Sequence, residues 1–99
     1  MSESEIRSLV ASADIVIFSD SGCPYCSDAI ATLNAKGFAH KVIEASSAQR
    51  ATLRSMTSVS SVPNCWVKGE YVGGCNDGPQ GWMGIKKMAS NGELQRRLG

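Results

Sequence analysis

The hydrophobic and polar positions of this chain switch between helical spacing and short apolar runs. Apolar residues recur three and four positions apart between residues 4 and 13, which predicts a short amphipathic helix with Ser4 as its N-cap. Residues 15–18 form an unbroken apolar run, as expected of a strand buried on both faces. Helical spacing returns from residue 23 to about residue 36, and Gly37 supplies the cap that ends this second helix.

The rest of the pattern predicts further strands and helices around the same sheet. Residues 39–44 are expected to form a second strand parallel to the first, which closes a β-α-β unit. Ser46 or Ser47 can cap a third helix that runs to about Met56. The remaining predicted elements are a strand over 64–68, a turn at 69–70, a strand over 71–73, a loop over 73–78 and helical segments over 82–88 and 92–98. The expected fold is α/β, a three-layer sandwich in which helices flank one four-stranded mixed sheet.

Length and composition narrow the classes of protein that fit. The 99 residues suit a single domain over residues 1–99, with 42% apolar and 19% charged residues, as in globular proteins. A net charge of +1 gives no reason to expect nucleic acid or a membrane surface as a partner. Two basic pairs, Lys86-Lys87 and Arg96-Arg97, are expected on solvated helix faces. No apolar run is long enough to span a bilayer and the first residues do not resemble a signal peptide, so we expect a cytoplasmic protein.

Four cysteines raise the choice between disulfides, a metal site and reactive thiols. In the cytosol we expect free thiols at rest. Cys23 and Cys26 have the spacing of zinc ligands, but Cys65 and Cys75 provide no second close pair, so a zinc site is disfavoured. Cys65 is expected to be a packed thiol. Cys75 lies in a predicted loop and can be either inert or open to oxidation and glutathionylation.

Cys23-Pro24-Tyr25-Cys26 stands where the first predicted strand gives way, through a short turn, to a helix. Two thiols on the first turn of a helix are typical of a redox site. Backbone N–H groups and the positive end of the helix dipole stabilise negative sulfur at Cys23, so we assign Cys23 as the attacking thiol. Cys26 lies about one turn further in and is assigned as the resolving thiol. Pro24 fits the first turn because it has no N–H to lose.

Two later segments carry backbone features that matter for binding. Pro63 follows Val62 at the start of a predicted strand, where a cis bond is credible, although trans is the commoner form for a proline taken in isolation. Gly73 and Gly74 can form a plain hairpin end or, before Cys-Asn-Asp, a small nest of N–H groups that binds an anion. Spacing and composition leave both choices open.

Together these segments resemble the dithiol class of glutaredoxins. Cys-Pro-Tyr-Cys at 23–26, Ser-Val-Pro at 61–63 and Gly-Gly-Cys-Asn-Asp at 73–77 occur in the order and approximate spacing of that family. The resemblance covers nearly the whole chain and implies the thioredoxin-like fold. It also implies that Cys23 forms a mixed disulfide with glutathione and that Cys26 closes the intramolecular disulfide.

The resemblance assigns glutathione binding to seven further positions. Tyr25 would border the groove, and Val62, before a cis Pro63, would pair its backbone with the cysteinyl part of the ligand. The γ-glutamyl end would be held by Gly74, Cys75, Asn76 and Asp77. Among these, the Asp77 carboxylate would face the ammonium group while backbone N–H groups face the carboxylate. We predict no metal ligand among these residues, since the cysteine spacing disfavours a zinc site.

Two positions depart from the family pattern. Many relatives carry a lysine three residues before the first cysteine, where this chain has Asp20, and a basic residue three before the cis proline, where it has Ser60. Both changes remove positive charge near the thiolate and near the glycyl carboxylate of the ligand. The choice between glutathione and another low-molecular-weight thiol therefore stays open. Extra residues, around 78–82, also separate the Gly-Gly loop from the last helices.

The leading function is that of an enzyme, a glutathione-dependent thiol–disulfide oxidoreductase that reduces protein disulfides and glutathione mixed disulfides. The expected cosubstrate is glutathione or another small thiol, the expected partners are disulfide-containing or glutathionylated proteins, and we expect a monomer. The alternative is a glutaredoxin-like module that holds a [2Fe–2S] cluster with Cys23 and glutathione thiolates. Pro24 argues against the cluster, because within the family a proline at this position is associated with poor cluster binding.

Overall fold

The structure, a computed structural model, describes residues 2–99. Its elements are α1 (Glu3–Ala11), β1 (Ile15–Ser19), α2 (Pro24–Ala35), β2 (Lys41–Glu44), α3 (Ser47–Thr57), β3 (Asn64–Val67), β4 (Glu70–Gly73), α4 (Ile85–Ser90) and α5 (Glu93–Leu98).

The four strands form one mixed sheet in the order β2-β1-β3-β4. β1 runs parallel to β2, with Ile17 opposite Val42, and antiparallel to β3, with Phe18 opposite Asn64. β3 and β4 form the antiparallel hairpin at the edge of the sheet. The predicted four-stranded mixed sheet flanked by helices is therefore confirmed.

The two faces of the sheet carry separate hydrophobic clusters because successive strand residues point to opposite sides. Ile15 and Ile17 pack on the side of α2, α4 and α5, whereas Val16 and Phe18 pack on the side of α1 and α3. All five residues of β1 are buried, as the unbroken apolar run predicts. Burial of each such side chain stabilises the fold by about 1.5–3 kcal/mol relative to exposure. β1 is thus fixed from both sides, and the turn that follows it has a defined position.

Helix α1 begins earlier than predicted. Ser2, rather than Ser4, is the N-cap: its hydroxyl accepts from the Glu5 N–H at 3.3 Å, and the Glu5 carboxylate accepts from the Ser2 N–H. This reciprocal capping box satisfies two N–H groups at once, which Ser4 cannot do without an acid or amide three residues later. The helix ends at Ala11 instead of residue 13.

The other boundary differences lie after loops. β2 begins at Lys41 rather than residue 39, and the hairpin turn is centred on Lys68 and Gly69 rather than on 69–70. α4 begins at Ile85 rather than residue 82, because Gly84 has a φ of 102°, which is incompatible with a helix.

Arg97 does not lie on a solvated face, which corrects that prediction for this residue. Only 17% of its side chain is exposed. Its guanidinium donates to the Glu70 carboxylate at 2.8 Å and to that of Glu93 at 3.2 Å, and lies 5.3 Å from the centroid of the Trp82 ring. Arg97 therefore fastens α5 to β4 and to the loop that precedes α4.

We predict that Arg97→Ala lowers the free energy of unfolding by about 1 kcal/mol, or roughly 4–8 °C in Tm, because packing against Trp82 and two ion pairs are lost. Arg96→Ala is the matched control, since Arg96 is a neighbouring arginine on the same helix whose side chain is 70% exposed and pairs with Glu93 of that helix. Thermal unfolding checks both variants. Equal Tm values for the two would show that the contacts of Arg97 do not stabilise the tail.

Candidate active site

The turn after β1 places Cys23 at the N-cap of α2. The Asp20 carboxylate accepts from the Gly22 N–H and its carbonyl accepts from the Cys23 N–H, both at 3.0 Å. Cys23 has extended backbone angles as the N-cap of α2, and Pro24 follows as the first helical residue. The Cys23 sulfur accepts from the Cys26 N–H at 3.1 Å, as an N-cap side chain does. The start of the helix thus presents an N–H donor and the positive end of its dipole to this sulfur.

Cys26 lies on the buried side of the same turn. The residue is 1% exposed, and Cys23 is only partly buried. Burial raises the pKa of the Cys26 thiol, and the hydrogen bond with the Cys23 side chain raises it further. The two thiols are thus unequal: Cys23 is reachable from solvent, whereas Cys26 is held as an inner thiol next to it.

The segment before β3 contacts the attacking sulfur. The Val62–Pro63 bond is cis, as the resemblance implies. The Cys23 thiol donates to the Val62 carbonyl at 3.6 Å. Backbone from a residue 39 positions away in the chain therefore lies directly beside Cys23.

A groove of about 370 Å³ extends from this point along the surface. All seven residues expected to bind glutathione line it, together with Val59, Ser61 and Tyr71. Tyr25 stands at its rim with 63% of the residue exposed. Tyr71 packs against Trp66, and burial raises the pKa of its phenol, with the Asp77 carboxylate adding to the effect. Val59 and Tyr71 were missed because neither belongs to a motif, and only the fold brings them to the groove.

The loop after β4 starts with a tight turn at Gly73, and the backbone of this turn requires a glycine there. Gly73 has a φ of 107°, and a Cβ there would lie 2.2 Å from the Asp77 carbonyl oxygen. The Gly74 N–H donates to that same oxygen at 2.7 Å. The Gly74 and Cys75 carbonyls in turn accept from the N–H groups of Ile85 and Lys86 at 2.8 and 3.0 Å. The loop is therefore closed on itself and attached to the start of α4.

Arg50, which the sequence analysis did not single out, lies between the two positions where basic residues are missing. Its Nη1 lies 3.6 Å from the Asp20 carboxylate, and its Nε donates to the Ser60 carbonyl at 3.3 Å. Arg50 projects from α3, and no sequence spacing links it to Cys23. The fold thus places the Arg50 guanidinium beside Asp20 and Ser60, the two positions at which the sequence lacks a basic residue.

The two remaining cysteines differ in their surroundings. Cys65 is fully buried on β3, and burial raises the pKa of its thiol well above the usual value. It is a packed thiol, as predicted. Cys75 is 3% exposed, and burial, with the Asp28 carboxylate second, raises its pKa to about 11. Its thiol donates to Asp28 Oδ2 at 3.7 Å. Both are therefore thiols, rather than thiolates, at neutral pH.

Within residues 2–99, no group of three or more histidine, cysteine, aspartate or glutamate side chains is arranged to hold a metal ion. No helix in the described range combines the length and the apolar character required to cross a membrane.

Comparison with protein families finds a match to the glutaredoxin model over residues 15–72, more than half of the chain. Glutaredoxin-1 of the fungus Rhizophagus irregularis is 36% identical over 98 residues, which cover 94% of this chain and 90% of that protein.

Solved structures give the same family. A buckwheat glutaredoxin in complex with glutathione superposes with a TM-score of 0.81 at 28% identity, covering 96% of this chain and 84% of the other. Oxidised glutaredoxin 2 of Chlamydomonas reinhardtii superposes with a TM-score of 0.78 at 31% identity, covering 96% and 88%.

We predict that Gly73→Ala destabilises the protein more than Gly69→Ala does. Both glycines have positive φ angles, so each alanine costs about 1 kcal/mol or more of backbone strain. A Cβ at Gly69 meets nothing within 4 Å, whereas one at Gly73 meets the backbone of Asp77 and Gly78 and adds about 1–3 kcal/mol of steric cost. Denaturant unfolding of both variants is the measurement. Equal losses of stability would mean that the loop is not packed against Gly73.

Proposed function

The chain belongs to the glutaredoxin family and is a thiol–disulfide oxidoreductase, and on that basis we propose that it reduces glutathione mixed disulfides and protein disulfides with glutathione as the cosubstrate. The observation that carries this proposal is the groove that leads from Val62, beside the Cys23 sulfur, to Asp77. A single ligand lying in that groove would place its thiol at Cys23 and its far end at the Gly74–Asp77 loop.

In the proposed reaction, the Cys23 thiolate attacks the glutathione sulfur of a glutathionylated protein. The old disulfide breaks, its electron pair leaves with the protein sulfur, and that thiolate takes up a proton. The product is a Cys23–glutathione disulfide, and the thiolate of a second glutathione attacks its glutathione sulfur. Oxidised glutathione leaves and the Cys23 thiolate is restored beside the Cys26 N–H, which lies 3.1 Å away.

Reduction of a protein disulfide needs the second thiol. Cys23 attacks one sulfur of the substrate and forms a mixed disulfide with the protein. The Cys26 sulfur then attacks Cys23 and breaks the mixed disulfide, the departing substrate thiolate takes up the proton that the Cys26 thiol loses, and the reduced substrate leaves a Cys23–Cys26 disulfide behind. The buried position of Cys26 suits this order, because burial raises the pKa of its thiol and so disfavours Cys26 as the first nucleophile.

We assign the two ends of glutathione to opposite ends of the groove. The Asp77 carboxylate would accept from the γ-glutamyl ammonium, and N–H groups of the Gly74–Asp77 loop would face the adjacent carboxylate. The backbone of Val62 would pair with the cysteinyl part. Arg50 would attract the glycyl carboxylate, although Asp20 and the Ser60 carbonyl already share its guanidinium. The glycyl end is therefore proposed as the weaker half of the site.

The wider setting is part of the same proposal. We propose a monomeric, single-domain, cytoplasmic enzyme whose partners are disulfide-containing and glutathionylated proteins, and the net charge of +1 gives no reason to add nucleic acid or a membrane surface to these partners. The comparisons give no support to the [2Fe–2S] alternative.

We predict that Cys23→Ser abolishes both activities, whereas Cys26→Ser loses protein disulfide reduction and keeps reduction of glutathione mixed disulfides. The reason is that only protein disulfide reduction needs an internal thiol to release a trapped intermediate. Turnover of a glutathionylated peptide and of an intramolecular protein disulfide, measured on both variants, checks the roles. If Cys26→Ser lost the two activities to the same extent, the assignment of Cys26 as resolving thiol would be wrong.

We predict that Asp77→Ala raises the KM for a glutathionylated peptide by about tenfold, the loss expected for one charge-assisted hydrogen bond. A peptide carrying N-acetylated glutathione is the matched control, because it lacks the ammonium that Asp77 is proposed to bind. Wild type and variant should bind this control with equal KM values. A lower Tm for Asp77→Ala with an unchanged KM would show a purely structural role for the carboxylate.

A further inference from the structure

Asp28 has contacts that the proposed reaction does not use. It lies on α2, two residues after Cys26, and its Oδ2 accepts from Lys86 Nζ at 2.8 Å and from Cys75 Sγ at 3.7 Å. One carboxylate oxygen thus joins three elements: the helix that carries the dithiol, the loop that lines the groove and the start of α4.

The backbone of the same loop is attached to α4 but not to α2. The Lys86 N–H donates to the Cys75 carbonyl at 3.0 Å, so Lys86 contacts Cys75 through its backbone and shares Asp28 with it through its side chain. Lys86 was expected on a solvated face, and its side chain, 42% exposed, is in part solvated while it pairs with the Asp28 carboxylate, whose side chain is 41% exposed. The position of the loop relative to Cys23 is therefore set in part by Asp28.

We propose that Asp28 is a positioning residue that fastens the Gly74–Asp77 loop to the dithiol helix and holds Cys75 as an unreactive thiol in the glutathione groove. The first half of this proposal rests on the proposed function, since it assumes that the loop binds the γ-glutamyl end. The second half concerns the chemistry of the Cys75 sulfur alone.

An unreactive Cys75 matters because Cys75 is one of the residues that line the proposed glutathione groove. Cys75 lines the groove, so a Cys75 thiolate could attack the glutathione disulfide, form a Cys75–glutathione disulfide and release a glutathione thiolate. That adduct would occupy the loop that has to bind the next ligand. Burial disfavours a negative sulfur at Cys75, and the Asp28 carboxylate adds to this by its charge and by accepting the S–H, so the reaction is left to Cys23.

Two variants separate positioning from protection. Asp28→Ala removes the acceptor and the negative charge, whereas Lys86→Met removes the tether and leaves the carboxylate beside Cys75. We expect both to raise the KM for a glutathionylated peptide by roughly fivefold with little change in kcat, since each releases the loop from α2. Asp14→Ala is the matched control, because Asp14 forms a comparable ion pair with Lys68, at 3.2 Å, away from the groove.

The second readout is the rate at which iodoacetamide labels Cys75, followed by peptide mass at neutral pH. We expect the rate to rise more in Asp28→Ala than in Lys86→Met, with the difference amounting to about tenfold for each unit by which removal of the carboxylate lowers the Cys75 pKa. A loop that is merely loosened would expose the sulfur in both variants. Equal increases in the two would therefore overturn the proposal.

The two readouts also separate this proposal from the function on which its first half rests. If wild-type protein shows saturable turnover of the glutathionylated peptide and Asp28→Ala leaves both KM and Cys75 labelling unchanged, the role of Asp28 is wrong while the function stands. If wild-type protein shows no saturation by that peptide, the proposed function fails. The labelling comparison then decides the protection of Cys75 by itself.

Discussion

The hydrogen bond from the Cys26 N–H to the Cys23 sulfur is the interaction around which the structure is arranged. It exists because Cys23 is the N-cap of α2, and it places a helix N-terminus against a sulfur that has to carry negative charge. β1 makes this possible, since its side chains are buried on both faces and fix the point from which the turn at Asp20 starts.

The order of the strands explains how distant segments meet this sulfur. β3 runs antiparallel to β1, so the start of β3, where Phe18 faces Asn64, lies beside the end of β1, and the cis Val62–Pro63 bond comes to Cys23. β4 runs back along β3, so Gly73, the last residue of β4, lies opposite Cys65, near the start of β3. The hairpin thereby carries the Gly74–Asp77 loop to the groove. The sheet thus brings together, at one end of its strands, three motifs that lie far apart in the sequence.

What the sequence predicts well is local. A β-branched run that is buried on both faces, a proline on the first turn of α2 and a serine cap on α3 each follow from a few neighbouring residues. The motif residues of the groove were found for a similar reason, since each lies in a short segment with its own pattern. The side chains that the sequence analysis missed act across elements. Arg50 reaches Asp20 from α3 and Lys86 reaches Asp28 from α4, and neither spacing nor composition encodes such contacts.

The central claim is that Cys23, at the helix start, is the reactive thiol and that Cys26 is its partner among the four cysteines. The most direct measurement is to oxidise the reduced protein with oxidised glutathione and to map the products by peptide mass. The account predicts a single intramolecular disulfide between Cys23 and Cys26, with Cys65 and Cys75 still free. A disulfide or a glutathione adduct that forms first on Cys65 or Cys75 would contradict it.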